Sequence, residues 1–128
     1  MAEAIEGERL IRGHVYVARA GQHLRVGPSM AVSLSPVPSD ARHIPSVDVT
    51  MRSAARSKPG RVLGILLTGM GEDGADGMAV IRAGGGITIA ESELSCVVYG
   101  MPRAAIRRGA ATWVLALSDI AELLGGLV

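Results

Sequence analysis

Phenylalanine is absent from this chain, and one tryptophan and two tyrosines are its only aromatics, 2% of the residues. Its core must therefore be aliphatic. With a net charge of +1 and no basic run, it lacks both the cationic stripe and the stacking platform of a nucleic-acid-binding surface. One cysteine, Cys96, excludes an internal disulfide framework and suits a reducing, cytoplasmic setting. No apolar run approaches the ~20 residues that span a bilayer, so no membrane insertion is expected. The acidic start, Met1 to Glu8, is not patterned as a signal peptide. His14, His23 and His43 form no H-x-x-H, H-x-x-x-H or Cys/His cluster, which argues against a zinc framework. Neither metal nor cofactor is expected. His14 and His23 read as ordinary strand or surface residues; His43, in a proline-rich loop before a helix, is better placed for binding. No serine sits in a G-x-S-x-G elbow.

What is present is organised around Arg61 to Ala83. Val62 to Leu67 is a short apolar run bounded by turn residues, which predicts a strand buried on both faces of a parallel sheet. The loop Thr68-Gly69-Met70-Gly71-Glu72-Asp73-Gly74 follows, and Ala75, Met78, Ala79 and Ile81 then recur at helical spacing. Such a loop lies at the carboxyl end of a strand, where open α/β sheets place their chemistry. Upstream, Ala2 to Arg12 reads as loop. His14 to Ala18, His23 to Val26 and Met30 to Leu34 read as strands of a small antiparallel meander. Pro36 to Pro45 is irregular, and Ser46 caps a helix with Val47, Met51, Ala54 and Ala55 on one face. Downstream come a strand at Ile87 to Ala90, a helix from about Met101 to Arg108 with Pro102 in its first turn, and a strand at Trp113 to Leu117. Ser118 then caps a last helix. From Ser46 onward the order is α, β, α, β, α, β, α, which predicts a doubly wound parallel sheet in one α/β domain.

Three readings compete for the glycine-rich loop. Gly69 to Gly74 is a formal G-x-G-x-x-G, and Glu91 lies 91 − 69 = 22 residues on, close to the dinucleotide fingerprint. However, Glu72, Asp73 and Asp76 crowd the helix start with negative charge, whereas a pyrophosphate needs free N–H groups and a positive helix end. At ~4 Å like charges repel by several kcal/mol at an effective dielectric near 20. The second reading is that the acids merely complement the helix dipole. The third is that the loop holds a catalytic or orienting acid, and the charge pattern ranks it first and nucleotide binding last.

Read with three further segments, the loop resembles a known family. These are Gly13-His14-Val15-Tyr16-Val17-Ala18, Arg42-His43-Ile44-Pro45-Ser46-Val47-Asp48 and Ser95-Cys96-Val97-Val98-Tyr99-Gly100-Met101-Pro102-Arg103. In that order they resemble the catalytic domain of chemotaxis protein-glutamate methylesterases (CheB type), from about Ala4 to the C-terminus. The resemblance implies hydrolysis of glutamyl methyl esters on chemoreceptors, glutamine deamidation in many members, and a Ser-His-Asp triad on a doubly wound α/β domain, commonly behind a receiver domain. It places the triad acid on Asp73 and a methionine beside the triad on Met70. Thr68, Gly69, Gly71, Gly74, His43, Ser95, Cys96, Met101 and Pro102 would line the cleft.

The family's serine lies in a Ser-Thr-Gly-Gly turn and its histidine in a Gln-His-Met-Pro segment. Neither occurs in residues 1–128. The resemblance therefore implies one partial catalytic domain over 1–128, without the family's first strands, that supplies the acid alone and is inactive by itself. The alternative is a non-catalytic relic or interaction module of the same fold. Its expected partners are the methylated chemoreceptor, a receiver domain on a longer chain, and further copies of itself through the exposed sheet.

Overall fold

Every third or fourth residue from Val47 to Ala55 is apolar, and in the computed structural model, which describes residues 1–127, this stretch is a helix that joins two layers. The elements run β1 (Ala2–Glu3), β2 (Tyr16–Val17), β3 (His23–Val26), β4 (Val32–Ser35), α1 (Val47–Ser57), β5 (Leu63–Leu66), α2 (Ala75–Ala83), β6 (Ile87–Glu91), α3 (Met101–Arg107), β7 (Trp113–Leu115) and α4 (Leu117–Leu127). Strands β5, β6 and β7 form a parallel sheet in that order. Leu63 is opposite Ile87 and Ile89 opposite Trp113. This register aligns the carboxyl ends of β5 and β6, so the loops after Leu66 and Glu91 run side by side.

The main core is Leu66, Ala75, Met78, Ala105 and Ala110, with Val47, Met51 and Met101 packed on it. Met78 is fully buried, worth about 1.5–3 kcal/mol. The helices α1 and α2 meet at Gly77, where an added Cβ would lie 2.6 Å from Met51 Cβ. Only glycine permits that approach, and it sets the spacing of the site described below. β5 itself departs from the expectation of burial on both faces. Gly64 and Leu66 are buried under α1 and α2, Leu63 and Ile65 are half-buried and Leu67 is exposed. The described residues cover one face better than the other.

The amino-terminal region also differs from the expected meander. Of the three expected strands, β3 and β4 form an antiparallel pair, with His23 opposite Ser35 and Val26 opposite Val32. β2 instead pairs in parallel with β1, inside the stretch read as loop. The neighbour of β4 is the segment from Gly7 to Leu10: Gly7 N–H donates to Val32 O (2.8 Å), Val32 N–H to Glu8 O (2.8 Å) and Leu10 N–H to Met30 O (2.7 Å). This folding-back buries Ala4, Leu24 and Val32 in a second core. α1 ties the two cores together through Thr50, Ser53 and Ser57. Thr50 Oγ1 donates to Leu24 O (2.7 Å), Ser53 Oγ accepts from Val26 N–H (2.9 Å) and Ser57 Oγ donates to Val26 O (2.6 Å).

Ser118 is not the cap of α4. Asp119 and Ile120 N–H donate to Ala116 O, each at 3.0 Å, so the helix begins at Leu117, two residues earlier than a serine cap would place it. Leu117 N–H is satisfied from elsewhere, by Ser95 Oγ at 3.0 Å.

Candidate active site

Asp73 closes the amino end of α1. Its Oδ1 accepts from the Ser46 hydroxyl (2.9 Å) and Asp48 N–H (3.0 Å), and its Oδ2 from Val47 N–H (2.8 Å). The first N–H groups of a helix have no partner within it, and they lie at its positive end. Burial works against the Asp73 charge. The N–H groups of Asp48 and Val47, the Ser46 hydroxyl and the neighbouring His43 outweigh it and hold the carboxyl below its ordinary range. A carboxylate offers about four acceptor positions, and three are filled here.

The arrangement is reciprocal. Asp48, in the first turn of α1, reaches across to α2, where its Oδ1 accepts from Gly74 N–H (3.0 Å) and Gly77 N–H (2.8 Å). Gly74 has φ +100°, a conformation open to glycine, at the cap position of α2. Each helix start is thus capped by an aspartate from the other segment. Burial raises the Asp48 pKa, only partly offset by the Gly77 N–H, and the charges of Asp73 and Asp76 push the same way against Arg52. The α2 N–H groups that a pyrophosphate would need are held by this carboxylate, which disfavours the dinucleotide reading.

Behind Ser46 stands His23, the first residue of strand β3, as the strand reading expects, but fully buried rather than at the surface. Its Nδ1 accepts from Ser46 N–H (3.0 Å) and its Nε2 lies 2.9 Å from Pro38 O. An acceptor on one side and a carbonyl on the other fix the neutral tautomer with the proton on Nε2. No local pattern marks this role, because the residues it joins are 23 and 15 positions away.

The start of the loop is fastened to the segment before α3. Gly69 N–H donates to Val98 O (3.0 Å), Met101 N–H to Gly69 O (2.9 Å) and Val98 N–H to Thr68 Oγ1 (2.8 Å). Thr68 N–H donates to Glu91 Oε1 (2.8 Å), while Glu91 Oε2 accepts from Ser95 Oγ (2.8 Å). Glu91 is buried with neutral donors only, and it fixes the Thr68 turn to the end of β6. Ser95 is engaged on both sides of its hydroxyl. Burial, then Glu91, raise the Cys96 pKa, so its thiol stays protonated.

A cleft of about 290 Å³ opens beside Asp73, lined among others by His43, Ser46, Asp48 and Glu72. Gly71 stands against it: a Cβ there would lie 3.8 Å from His43 Nε2. Of the expected cleft residues, the structure therefore brings together Asp73, His43 and the Gly71–Gly74 turn. Met70 projects into solvent, 80% exposed. Thr68, Gly69 and Met101 form the wall strapped to Val98, Pro102 is buried in α3, and Ser95 and Cys96 belong to the Glu91 network. Ser46, Asp48 and His23 surround Asp73, and Glu91 anchors the Thr68 turn; the sequence expected none of them in the cleft, and offered Glu91 only as the acid of the dinucleotide reading. Among the described residues no three or more His, Cys, Asp or Glu side chains are grouped to hold a metal ion. No helix among them is long and apolar enough to cross a membrane.

The family model described as CheB methylesterase matches residues 1–124. The chain belongs to the CheB methylesterase family. A protein-glutamate methylesterase/protein-glutamine glutaminase of Bordetella parapertussis is 48% identical over 124 residues, 94% of this chain and 35% of that protein. A Geobacter metallireducens protein of the same description is 47% identical over 127 residues, 97% of this chain and 35% of that protein. The chain thus spans about a third of the length of these relatives. The crystal structure of the Thermotoga maritima CheB methylesterase catalytic domain superposes with a TM-score of 0.90 at 36% identity, covering 98% of this chain and 68% of that one. The CheB methylesterase fold is therefore that of the chain, an α/β domain with a parallel sheet.

Proposed function

We propose that the chain forms the acid-bearing part of a protein-glutamate methylesterase and glutaminase site, and that Asp73 is its orienting acid. The observation that carries this is the ionised Asp73 carboxylate, pinned by three donors at the α1 terminus with one acceptor position left on Oδ2. A histidine Nδ1–H fits that position. In a Ser-His-Asp triad the acid holds the imidazole in the tautomer that accepts the serine proton, and stabilises the imidazolium that forms. Residues 1–128 contain neither the Ser-Thr-Gly-Gly nor the Gln-His-Met-Pro segment, so serine and histidine come from outside them. The substrates would be glutamyl methyl esters, and glutamine amides, of a methylated chemoreceptor in the cytoplasm, with a receiver domain as the regulatory partner. The test is Asp73→Asn in the assembled enzyme. Turnover should fall by about 10⁴ with KM little changed, because the amide favours the wrong imidazole tautomer. Unchanged turnover would remove Asp73 from the reaction.

The dipole-complement reading retains one specific support, since Asp73 does cap a helix. It assigns Asp73 to stability alone. The two readings separate in the same variant: the structural one lowers the melting temperature without a specific loss of turnover.

A further inference from the structure

A second groove, about 340 Å³, continues from the Asp73 cleft along α3 and shares Glu72 and Arg108 with it. Its floor is Ala75 and Ala104, and its walls carry Tyr99, Arg103 and Arg107. Arg108 already forms an ion pair with Asp76, which also holds Arg52 at 3.0 Å. Arg103 and Arg107 enter no ion pair among the described residues. They are four apart on α3, hence on one helical face, about 6 Å apart along the axis. Both are exposed, and Glu72 at the shared rim is the one carboxylate in the lining.

The geometry points to this groove as the binding site for an acidic peptide segment, with two carboxylates one helical turn apart received by Arg103 and Arg107. The inference rests on the proposed function: in a protein segment that carries esterified glutamate, glutamates one turn apart that are not esterified would present that charge pattern. Two guanidiniums spaced by one turn match two carboxylates spaced by one turn, each pair forming parallel N–H···O bonds. Half-buried Tyr99 offers an apolar face against the peptide. Contact here would place a neighbouring ester over the Asp73 cleft, while Glu72 at the junction disfavours a free carboxylate, rather than a neutral ester, at that point.

The test is fluorescence anisotropy with a labelled helical peptide bearing glutamates one turn apart, compared with its glutamine counterpart. The glutamate peptide should bind more tightly and weaken as salt rises. Arg103→Gln with Arg107→Gln should weaken it about tenfold; Arg103→Lys with Arg107→Lys, which keeps the charge but not the paired N–H donors, should recover only part of the affinity; Arg61→Gln, at the opposite end of β5, should leave it unchanged. Far-UV melts confirm that the variants fold. Equal binding of the two peptides, or undiminished binding by the double glutamine variant, would overturn the proposal. Binding requires no nucleophile. An assembled enzyme that binds the peptide through these arginines yet cleaves no ester upholds the groove and refutes the methylesterase reading; one that cleaves esters without this binding does the reverse.

Discussion

Asp73 and Asp48 look interchangeable, Asp73 capping α1 and Asp48 capping α2, yet replacing them with asparagine should have unequal consequences. Asp73 uses both oxygens, Oδ1 for Ser46 and Asp48 and Oδ2 for Val47. Asparagine can keep the two donors on its oxygen, but its amide nitrogen then faces the Val47 N–H. A helix donor left unpaired costs about 1–3 kcal/mol, and the lost negative charge at the α1 terminus adds about 0.3–1 kcal/mol. With discounting for the half-exposed position, Asp73→Asn should destabilise the fold by about 2 kcal/mol, or about 8 °C in Tm. Asp48 takes both Gly74 and Gly77 on Oδ1 alone. An asparagine oxygen can do the same, and the substitution removes repulsion from Asp73 and Asp76. Asp48→Asn should therefore lie within about 0.5 kcal/mol of the parent chain, whereas Asp48→Ala, which drops both α2 donors, should cost about 1–2 kcal/mol. Urea unfolding followed by far-UV circular dichroism reads all three. Equal stability of the Asp73→Asn chain, or equal costs for the two asparagine variants, would refute the reciprocal-cap account.

The same pair sets the acid limb. Asp73 is depressed in the fold, so its stabilisation is present above the ordinary Asp value of about 3.9 and lost as pH falls through the lower folded value. Asp48 is raised, so its contribution is present below that value and lost as pH rises through its raised one; Asp73→Asn should flatten the stability loss below pH 4 and Asp48→Asn should gain relative stability towards neutral pH, read from urea midpoints across pH. Glu91→Ala should leave Thr68 N–H and the Ser95 hydroxyl proton without their acceptor and cost about 2–3 kcal/mol, read from the urea midpoint, whereas Glu91→Leu supplies apolar volume but no acceptor and should be no better. The half-exposed Trp113 and Val114 and the exposed Leu67 and Met70 leave apolar surface open, so the 128-residue chain should self-associate in light scattering, and a monodisperse monomer with a sharp melt would contradict this. Calorimetry should detect no NAD or NADP binding, since Asp48 holds the α2 N–H groups.

The β5-loop-α2 unit was legible because its signals are local: an unbroken apolar run, glycines at the turn, and helical spacing from Ala75. The family was legible for the same reason. The reciprocal cap was not, because Asp48 and Asp73 are 25 positions apart and meet only once Gly77 lets α1 approach α2. β1 is two residues long and owes its existence to the backbone of Tyr16–Val17, so no propensity could announce it. His23 reads as polar in sequence, and its burial follows from the positions of Ser46 and Pro38. Ser118 carries the chemistry of a cap, but Ser95, 22 positions away, satisfies Leu117 N–H and lets the helix begin earlier.

The most direct test of the central claim is methanol release from a methyl-esterified receptor. The 128-residue chain alone should release none. Joined to a segment bearing the Ser-Thr-Gly-Gly turn and the Gln-His-Met-Pro sequence, it should release methanol at an enzymatic rate that falls about 10⁴-fold in Asp73→Asn. Turnover by the isolated chain, or an assembled enzyme indifferent to Asp73→Asn, would contradict the account.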